Sequence, residues 1–161
     1  MDDEALVAEL HDLGIDENNA RIVALLPLVQ VAWVDGVIDP REAAAILQIA
    51  RERGWLPDDS IYVLDGWLAH APSDEYFRRG RVVIRELARR DGSFDPAVTP
   101  DTVEAIIGLC ERVAKSAGGV FGLVFTVSAE ERAAIQDIAE ALRIAATETG
   151  WDDLVSDLSQ T

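Results

Sequence analysis

The sequence lacks the features that mark secreted and membrane-spanning proteins. Cys110 is the single cysteine among 161 residues, so an intrachain disulfide cannot form and nothing points to an oxidising compartment. No apolar run approaches the roughly 20 residues that cross a bilayer. The start, Met1-Asp-Asp-Glu-Ala, is acidic where a signal peptide would be basic and then apolar. We therefore expect a cytoplasmic protein without a transmembrane segment.

Basic residues are also scarce. The chain has 14 Lys and Arg against 30 Asp and Glu, which gives a formal net charge of -16. Such a surface repels the phosphates of nucleic acids and of anionic lipid headgroups. We expect no nucleic-acid partner, and cations or basic protein surfaces are the more natural ligands.

Linkers and strand patterns are nearly absent. No stretch rich in Pro, Gly or Ser divides the chain, so we expect one domain over residues 1–161, with a core of about 20–146 and short helical extensions on both sides. The one ambiguous apolar run is 120–127. Elsewhere apolar residues recur with the helical period, as from Ile22 to Trp33 and again from Ala43 to Ala50. The pattern predicts an all-α fold of about seven helices.

The expected helix boundaries follow from caps, prolines and glycines. Pro27 should kink its helix or restart it. Ser, Thr or Asp stands at the expected helix starts Asp39, Ser73, Thr99 and Ser128. The predicted helices lie before Gly14, around 22–33, after Asp39, and at about 59–70, 73–90, 99–117, 128–146 and 151–158.

A weak internal repeat divides the predicted domain into two helical-hairpin halves. Aligning Glu42 with Glu131 also brings the cap residue Asp39 onto Ser128. The same alignment matches the apolar positions Ala44, Ala45, Ile46, Ile49 and Ala50 with Ala133, Ala134, Ile135, Ile138 and Ala139. The second half lacks the Asp-Gly of the first and has Gly118-Gly119 and Gly122 in its place.

The turn between the first pair of helices carries three carboxylates: Asp35, Asp39 and Glu42. Asp39 and Glu42 have the spacing of a capping box, in which Asp39 accepts from the Glu42 amide and the Glu42 side chain reaches back. Asp35 precedes Gly36 and is expected in the last turn of its helix, against the negative end of the helix dipole. It should need a positive neighbour, and Arg41 is the nearest in sequence.

The second interpretation of these carboxylates is a cation site. The order acid, Gly, any residue, Ile, acid, and later Glu matches the second part of an EF-hand loop. Val31 and Trp33 stand where that loop needs Asp or Asn, which excludes a complete EF-hand. A partial oxygen site remains, formed by Asp35, Asp39 and Glu42 and completed by water or by a carboxylate of the second half, Glu130 or Glu131. Its oxygen ligands suit Ca²⁺ or Mg²⁺ better than zinc.

These residues also carry a resemblance to the TerB-like (tellurite-resistance B) family. The first half has the pattern Ala32, Asp35, Gly36, Ile38 and Glu42, and the second half has Val127, Ser128 and Glu131. The resemblance extends loosely over residues 20–146. It implies an all-helical fold of two related halves and an acidic cluster that binds metal. It also implies a role beside membrane-bound partners in tellurite resistance, chemical stress or phage defence, without enzymatic activity.

Two further acidic or basic patterns have alternative interpretations. Asp91 to Pro96 repeats the spacing of the first acidic turn, but Val98 replaces the final Glu, so an ordinary turn is the simpler interpretation. Arg78, Arg81, Arg85 and Arg89 form a stripe along one predicted helix. The stripe is either a solvated face or a docking surface for an acidic partner, including a second copy of the chain in a homodimer.

No catalytic arrangement is evident, because His11 and His70 are far apart in the sequence and Cys110 lies in an apolar helical pattern. We therefore expect a non-enzymatic TerB-like module whose acidic turn binds a divalent cation or a basic partner. The alternative is a helical scaffold or oligomeric adaptor whose carboxylates only cap helices.

Overall fold

The computed structural model describes residues 1–117 and 127–143, and within these ranges it contains helices, turns and no strand. The all-α prediction is therefore confirmed. The predicted helix 151–158, most of the ambiguous run 120–127 and the last residues of the predicted helix 128–146 lie outside the described residues. The α-helices are α1 (Asp3–Asp12), α2 (Leu26–Ala32), α3 (Pro40–Arg53), α4 (Ile61–Ala69), α5 (Asp74–Arg89), α6 (Pro100–Ser116) and α7 (129–143).

Two 3-10 segments complete the described chain, Glu17–Leu25 before α2 and Asp58–Ser60 before α4. The first ends where α2 begins, and Pro27 occupies the first turn of α2. There its missing N–H and fixed φ cost nothing. The prediction that Pro27 restarts the helix is confirmed.

Several helix starts use the caps expected from the sequence. The Ser73 hydroxyl accepts from the Tyr76 amide at 3.1 Å at the start of α5. At the start of α6, Thr99 occupies the expected N-cap position, and there the Thr102 hydroxyl accepts from the Thr99 amide at 3.0 Å. These local bonds fix where α5 and α6 begin, because they satisfy amides that have no partner within the helix.

The short helix α2 lies at the centre of the core. Six of its seven residues are buried, all except Gln30. It packs against α3, α5 and α6. Gly80 of α5 allows the closest approach, since a Cβ there would lie 2.2 Å from the Leu26 Cδ2.

The core extends further toward the N-terminus than residue 20, where we expected it to begin. Leu6 and Leu10 of α1 are completely buried. Ion pairs join α1 to α5, Glu9 with Arg79 at 2.7 Å and Asp3 with Arg90 at 2.8 Å. The helix α1 is therefore part of the domain core. In the described part of the chain, no helix is both long and apolar enough to span a membrane.

Candidate functional site: a buried pair of glutamates

The helix before the acidic turn ends two residues earlier than the position of Gly36 suggests. α2 ends at Ala32, and Asp35 lies exposed in the turn that follows. The Gly36 amide donates to the Trp33 carbonyl at 2.8 Å, and Gly36 has a φ of +82°. The left-handed glycine was predicted correctly, but the placement of Asp35 in the last helical turn was wrong. Asp35 is therefore less exposed to the helix dipole than expected, since that field fades beyond the last turn.

Asp39 caps α3 in a different way from the predicted one. Its carboxylate accepts from the Arg41 amide at 2.8 Å and from the Arg41 guanidinium at 2.9 and 3.1 Å. The Glu42 amide, which we expected to bind this side chain, donates to the Asp39 carbonyl oxygen at 2.9 Å. These bonds to Arg41 lower the pKa of the Asp39 carboxyl. Arg41, expected to compensate Asp35, is thus engaged by Asp39.

Glu42 is a buried carboxyl near the start of α3, with 6% of its surface exposed. Its pKa is raised from 4.5 to about 7, first by burial and then by the nearby charge of Glu131. A hydrogen bond from the Asp39 backbone to the Glu42 side chain, as in the predicted capping box, lowers this pKa and so acts against the rise. Glu42 is therefore the one member of the acidic turn whose ionisation is suppressed by its surroundings.

Glu131 occupies the equivalent position in α7 and is also buried, with 8% of its surface exposed. It forms a reciprocal cap with Ser128: the Glu131 amide donates to the Ser128 hydroxyl at 3.1 Å, and the Ser128 amide donates to Glu131 Oε1 at 3.4 Å. Its second oxygen, Oε2, is buried and has no hydrogen-bond partner within residues 1–117 and 127–143. An unpaired buried carboxylate oxygen is costly and calls for an explanation.

The structure brings two of the five predicted site residues into a buried pair, Glu42 and Glu131. Asp35 and Asp39 act on Glu42 through their charges from the rim of the turn. Glu130 is exposed on α7, and its charge is not among those that act on Glu42. Across residues 1–117 and 127–143, no three His, Cys, Asp or Glu side chains are arranged so that they could hold a metal ion. The site is a carboxyl pair with two acidic neighbours, and it is not a closed metal cage.

Hydrogen bonds made by aromatic side chains run from Trp33, beside the acidic turn, to Leu13 at the end of α1. Trp33 Nε1 donates to the Trp67 carbonyl at 2.8 Å, and Trp67 Nε1 donates to the Tyr76 hydroxyl at 3.1 Å. That hydroxyl in turn donates to the Leu13 carbonyl at 2.5 Å. Sequence reasoning missed this chain, since no local pattern joins residues so far apart. It holds Trp33 in place two residues before Asp35.

The second acidic turn is structural, as its simpler interpretation predicted. Asp91 adopts a φ of +47° and Gly92 one of +80°. Asp95 is 3% exposed and accepts from the Ala97 amide at 2.9 Å and the Arg21 amide at 3.0 Å. Its side chain thus connects two segments of the core.

The arginine stripe of α5 is largely a solvated face. Arg78 pairs with Glu75 and Arg89 pairs with Glu86, each at 3.4 Å and each one helical turn away. Arg81 donates to the Gln30 side chain at 2.8 Å, and its partial burial lowers its pKa. These contacts lie within the domain or along α5 itself, so they do not by themselves indicate a partner.

His11 and Cys110 are two further groups with reactive side chains. His11 lies 2.5 Å from a carboxylate oxygen of Glu17 at the surface. Burial raises the pKa of the Cys110 thiol to about 12. A thiol with so high a pKa is a poor nucleophile at neutral pH.

Comparison with known proteins adds no relative to these observations. No family model, no curated protein and no solved structure matches the chain. The resemblance to TerB-like proteins therefore rests on the residues quoted for it.

Proposed function

We propose that the protein is a non-enzymatic TerB-like module that binds a hard divalent cation, Mg²⁺ or Ca²⁺, between Glu42 and Glu131. The observation that carries the proposal is the buried Oε2 of Glu131, which has no hydrogen-bond partner among the described residues and belongs to a residue close enough to raise the pKa of Glu42. A cation between the two carboxylates would satisfy that oxygen and remove the repulsion of the pair.

The donor chemistry fits a hydrated hard cation. Glu42 and Glu131 each supply carboxylate oxygens, and Mg²⁺ is commonly held by one or two carboxylates while it keeps several waters. Asp35 and Asp39 lie at the rim, where their charges add attraction at longer range. Because only two protein ligands come together, the expected affinity is weak, in the millimolar range.

A titration of the metal-free protein with MgCl₂ and CaCl₂ tests the proposal. Trp33 precedes the acidic turn by two residues and serves as the fluorescence reporter. Amide NMR spectra recorded in parallel should show shifts confined to residues 35–42 and 128–131. MnCl₂ at low concentration should broaden the same amides through its unpaired electrons. No response at these residues at millimolar metal would refute cation binding.

Matched variants distinguish the buried pair from the general negative charge of the protein. Glu42→Gln and Glu131→Gln should each abolish the localised response. Glu140→Gln, an exposed position of α7, removes the same charge and should leave the response unchanged. Asp35→Asn should weaken it only slightly, because Asp35 is exposed at the rim. Equal weakening by all four variants would mean that the metal binds only as a diffuse counterion.

The second candidate function is a helical scaffold in which the carboxylates only cap helices. It is supported by the reciprocal bonds between Ser128 and Glu131 and by the bonds from Arg41 to Asp39. In this case both metals leave the spectra unchanged, while Glu131→Ala, which removes the oxygen that accepts from the Ser128 amide, still destabilises α7.

The biological setting that we propose follows the resemblance: a cytoplasmic adaptor in a bacterial stress response of the tellurite-resistance type, with protein partners that include membrane-associated ones. Cross-linking and capture from cells treated with tellurite, compared with untreated cells and with the Glu42→Gln variant, tests it. Growth under tellurite that does not depend on the protein would reject the tellurite assignment without bearing on cation binding.

A further inference from the structure

One face of α4 exposes apolar side chains to solvent. Tyr62 is 70% exposed and Ile61 is 45% exposed, and they are two of the four large hydrophobic residues that the described chain exposes. Within α4 only Leu64 and Trp67 are buried. Val63 and Leu68 are partly buried and pack against the core beside them, while the face with Ile61 and Tyr62 has no partner in the described structure.

Carboxylates flank this apolar face. Asp58 and Asp59 lie in the 3-10 turn just before Ile61 and Tyr62, and Asp65 lies three residues after Tyr62, one helical turn away. All three are exposed. We call Asp58, Asp59, Ile61, Tyr62 and Asp65 together the α4 surface.

The described part of the chain supplies no ion pair that would neutralise the charge of the α4 surface. No Lys or Arg occurs between Arg53 and Arg78 in the sequence. Among the described residues, no ion pair involves Asp58, Asp59 or Asp65. Elsewhere exposed carboxylates do have arginine partners, as Glu52 has Arg112 at 2.9 Å. The α4 surface thus combines uncovered apolar area with unpaired negative charge.

We propose that the α4 surface docks a basic amphipathic segment of a protein partner, with its apolar side chains on Ile61 and Tyr62 and its Lys or Arg side chains on the three aspartates. Charge complementarity selects this occupant. Residues 144–161 contain four carboxylates and no Lys or Arg, so they would be repelled. A second copy of this chain, at -16, and an anionic lipid surface would be repelled as well. This surface is separate from the Glu42 and Glu131 pair, and it is proposed independently of cation binding.

A synthetic amphipathic helix of leucine and lysine serves as the probe, with amide NMR to locate its binding and fluorescence anisotropy to measure its affinity. The largest shifts should fall on residues 58–66. The double variant Ile61→Ser and Tyr62→Ser should weaken binding by about tenfold or more, because exposed aromatic and aliphatic anchors dominate such contacts. These positions are exposed, so the variant is expected to keep its unfolding midpoint.

Matched controls separate docking from general attraction between opposite charges. The triple variant Asp58→Asn, Asp59→Asn and Asp65→Asn should weaken binding several-fold more than Glu4→Gln, Glu111→Gln and Glu140→Gln, which make the same change in net charge at other exposed positions. A peptide with serine in place of leucine should bind much more weakly. Equal effects of the two triple variants, or shifts centred away from α4, would overturn the proposal. Glu42→Gln should leave peptide binding unchanged, so loss of metal binding and loss of docking are observed separately.

Discussion

The buried carboxyl of Glu42 should make the protein less stable at neutral pH than at mildly acidic pH. Its pKa is raised from 4.5 to about 7 in the folded chain, first by burial and then by the charge of Glu131. Glu42→Gln keeps the shape and an acceptor oxygen but cannot ionise. In metal-free protein we expect this variant to be more stable than the wild type at pH 8, and little different from it at pH 4.

The magnitude follows from the two ionisation constants. Each tenfold change in an ionisation constant corresponds to about 1.4 kcal/mol. The change from 4.5 to about 7 therefore corresponds to about 3 kcal/mol. Because the folded-state pKa is raised, the contribution of Glu42 to stability is complete below pH 4.5, decreases as the pH rises to about 7, and is absent above that. Glutamine removes this loss, so the stability difference between variant and wild type should grow across the same pH range.

Urea unfolding followed by tryptophan fluorescence, in chelator and at a series of pH values from acid to neutral, measures this difference. Glu131→Gln is the matching test, because removing the neighbouring charge should lower the pKa of Glu42 and shift the pH-dependent range downward. The two effects should be less than additive in the double variant, since each relieves the same repulsion. A stability difference that is constant with pH would refute the assignment of Glu42 as the suppressed acid.

Three further predictions concern the core. Gly80→Ala should lower the free energy of unfolding by about 1–3 kcal/mol, because its Cβ would lie 2.2 Å from the Leu26 Cδ2. Gly108→Ala, with nothing within 4 Å, should not destabilise the protein. Similar melting temperatures of the two variants would contradict this prediction. Asp95→Ala should cost about 3 kcal/mol in urea unfolding, because it leaves buried N–H donors without an acceptor, and a loss below about 1 kcal/mol would show that these donors find water. Cys110 should react with an aromatic disulfide reagent only as fast as the protein unfolds, given its burial and a pKa of about 12; rapid labelling of native protein would contradict the buried position.

The helices that the sequence predicted best are those with local boundary signals. α5 was expected at 73–90 and lies at Asp74–Arg89, because the Ser73 cap and the strong amphipathic period depend only on nearby residues. The segment Glu17–Leu25 was harder. The helical period from Ile22 predicted a helix from about residue 22, whereas a 3-10 helix begins at Glu17 and buries Ala20 and all of residues 22–25. The period indicates a helix, but where consecutive residues are all buried it does not distinguish a 3-10 helix from an α-helix.

The glycine after α2 did not predict where this helix ends. Gly36 adopts the left-handed conformation that its sequence context indicates, yet the helix ends at Ala32. The indole of Trp33 is held by the carbonyl of Trp67, 34 residues away. A contact of that sequence separation cannot be read from a window around the turn. It holds the side chain of Trp33 at the C-cap of α2, two residues before Asp35 in the surface turn.

Some features of the candidate site also follow from the local sequence, and others follow from long-range contacts. The alignment of the two halves placed Glu42 and Glu131 at equivalent positions after their caps, and both are found there. Burial of both positions depends on tertiary packing that a local sequence pattern does not show. Capping and cation binding were set against each other as interpretations of these carboxylates, but Glu131 shows that they can coexist. Its Oε1 caps α7 through the Ser128 amide, and its Oε2 is left buried without a donor. Because a carboxylate has two oxygens, the cap accounts for one of them, and the other remains available to a cation or to a proton shared with Glu42.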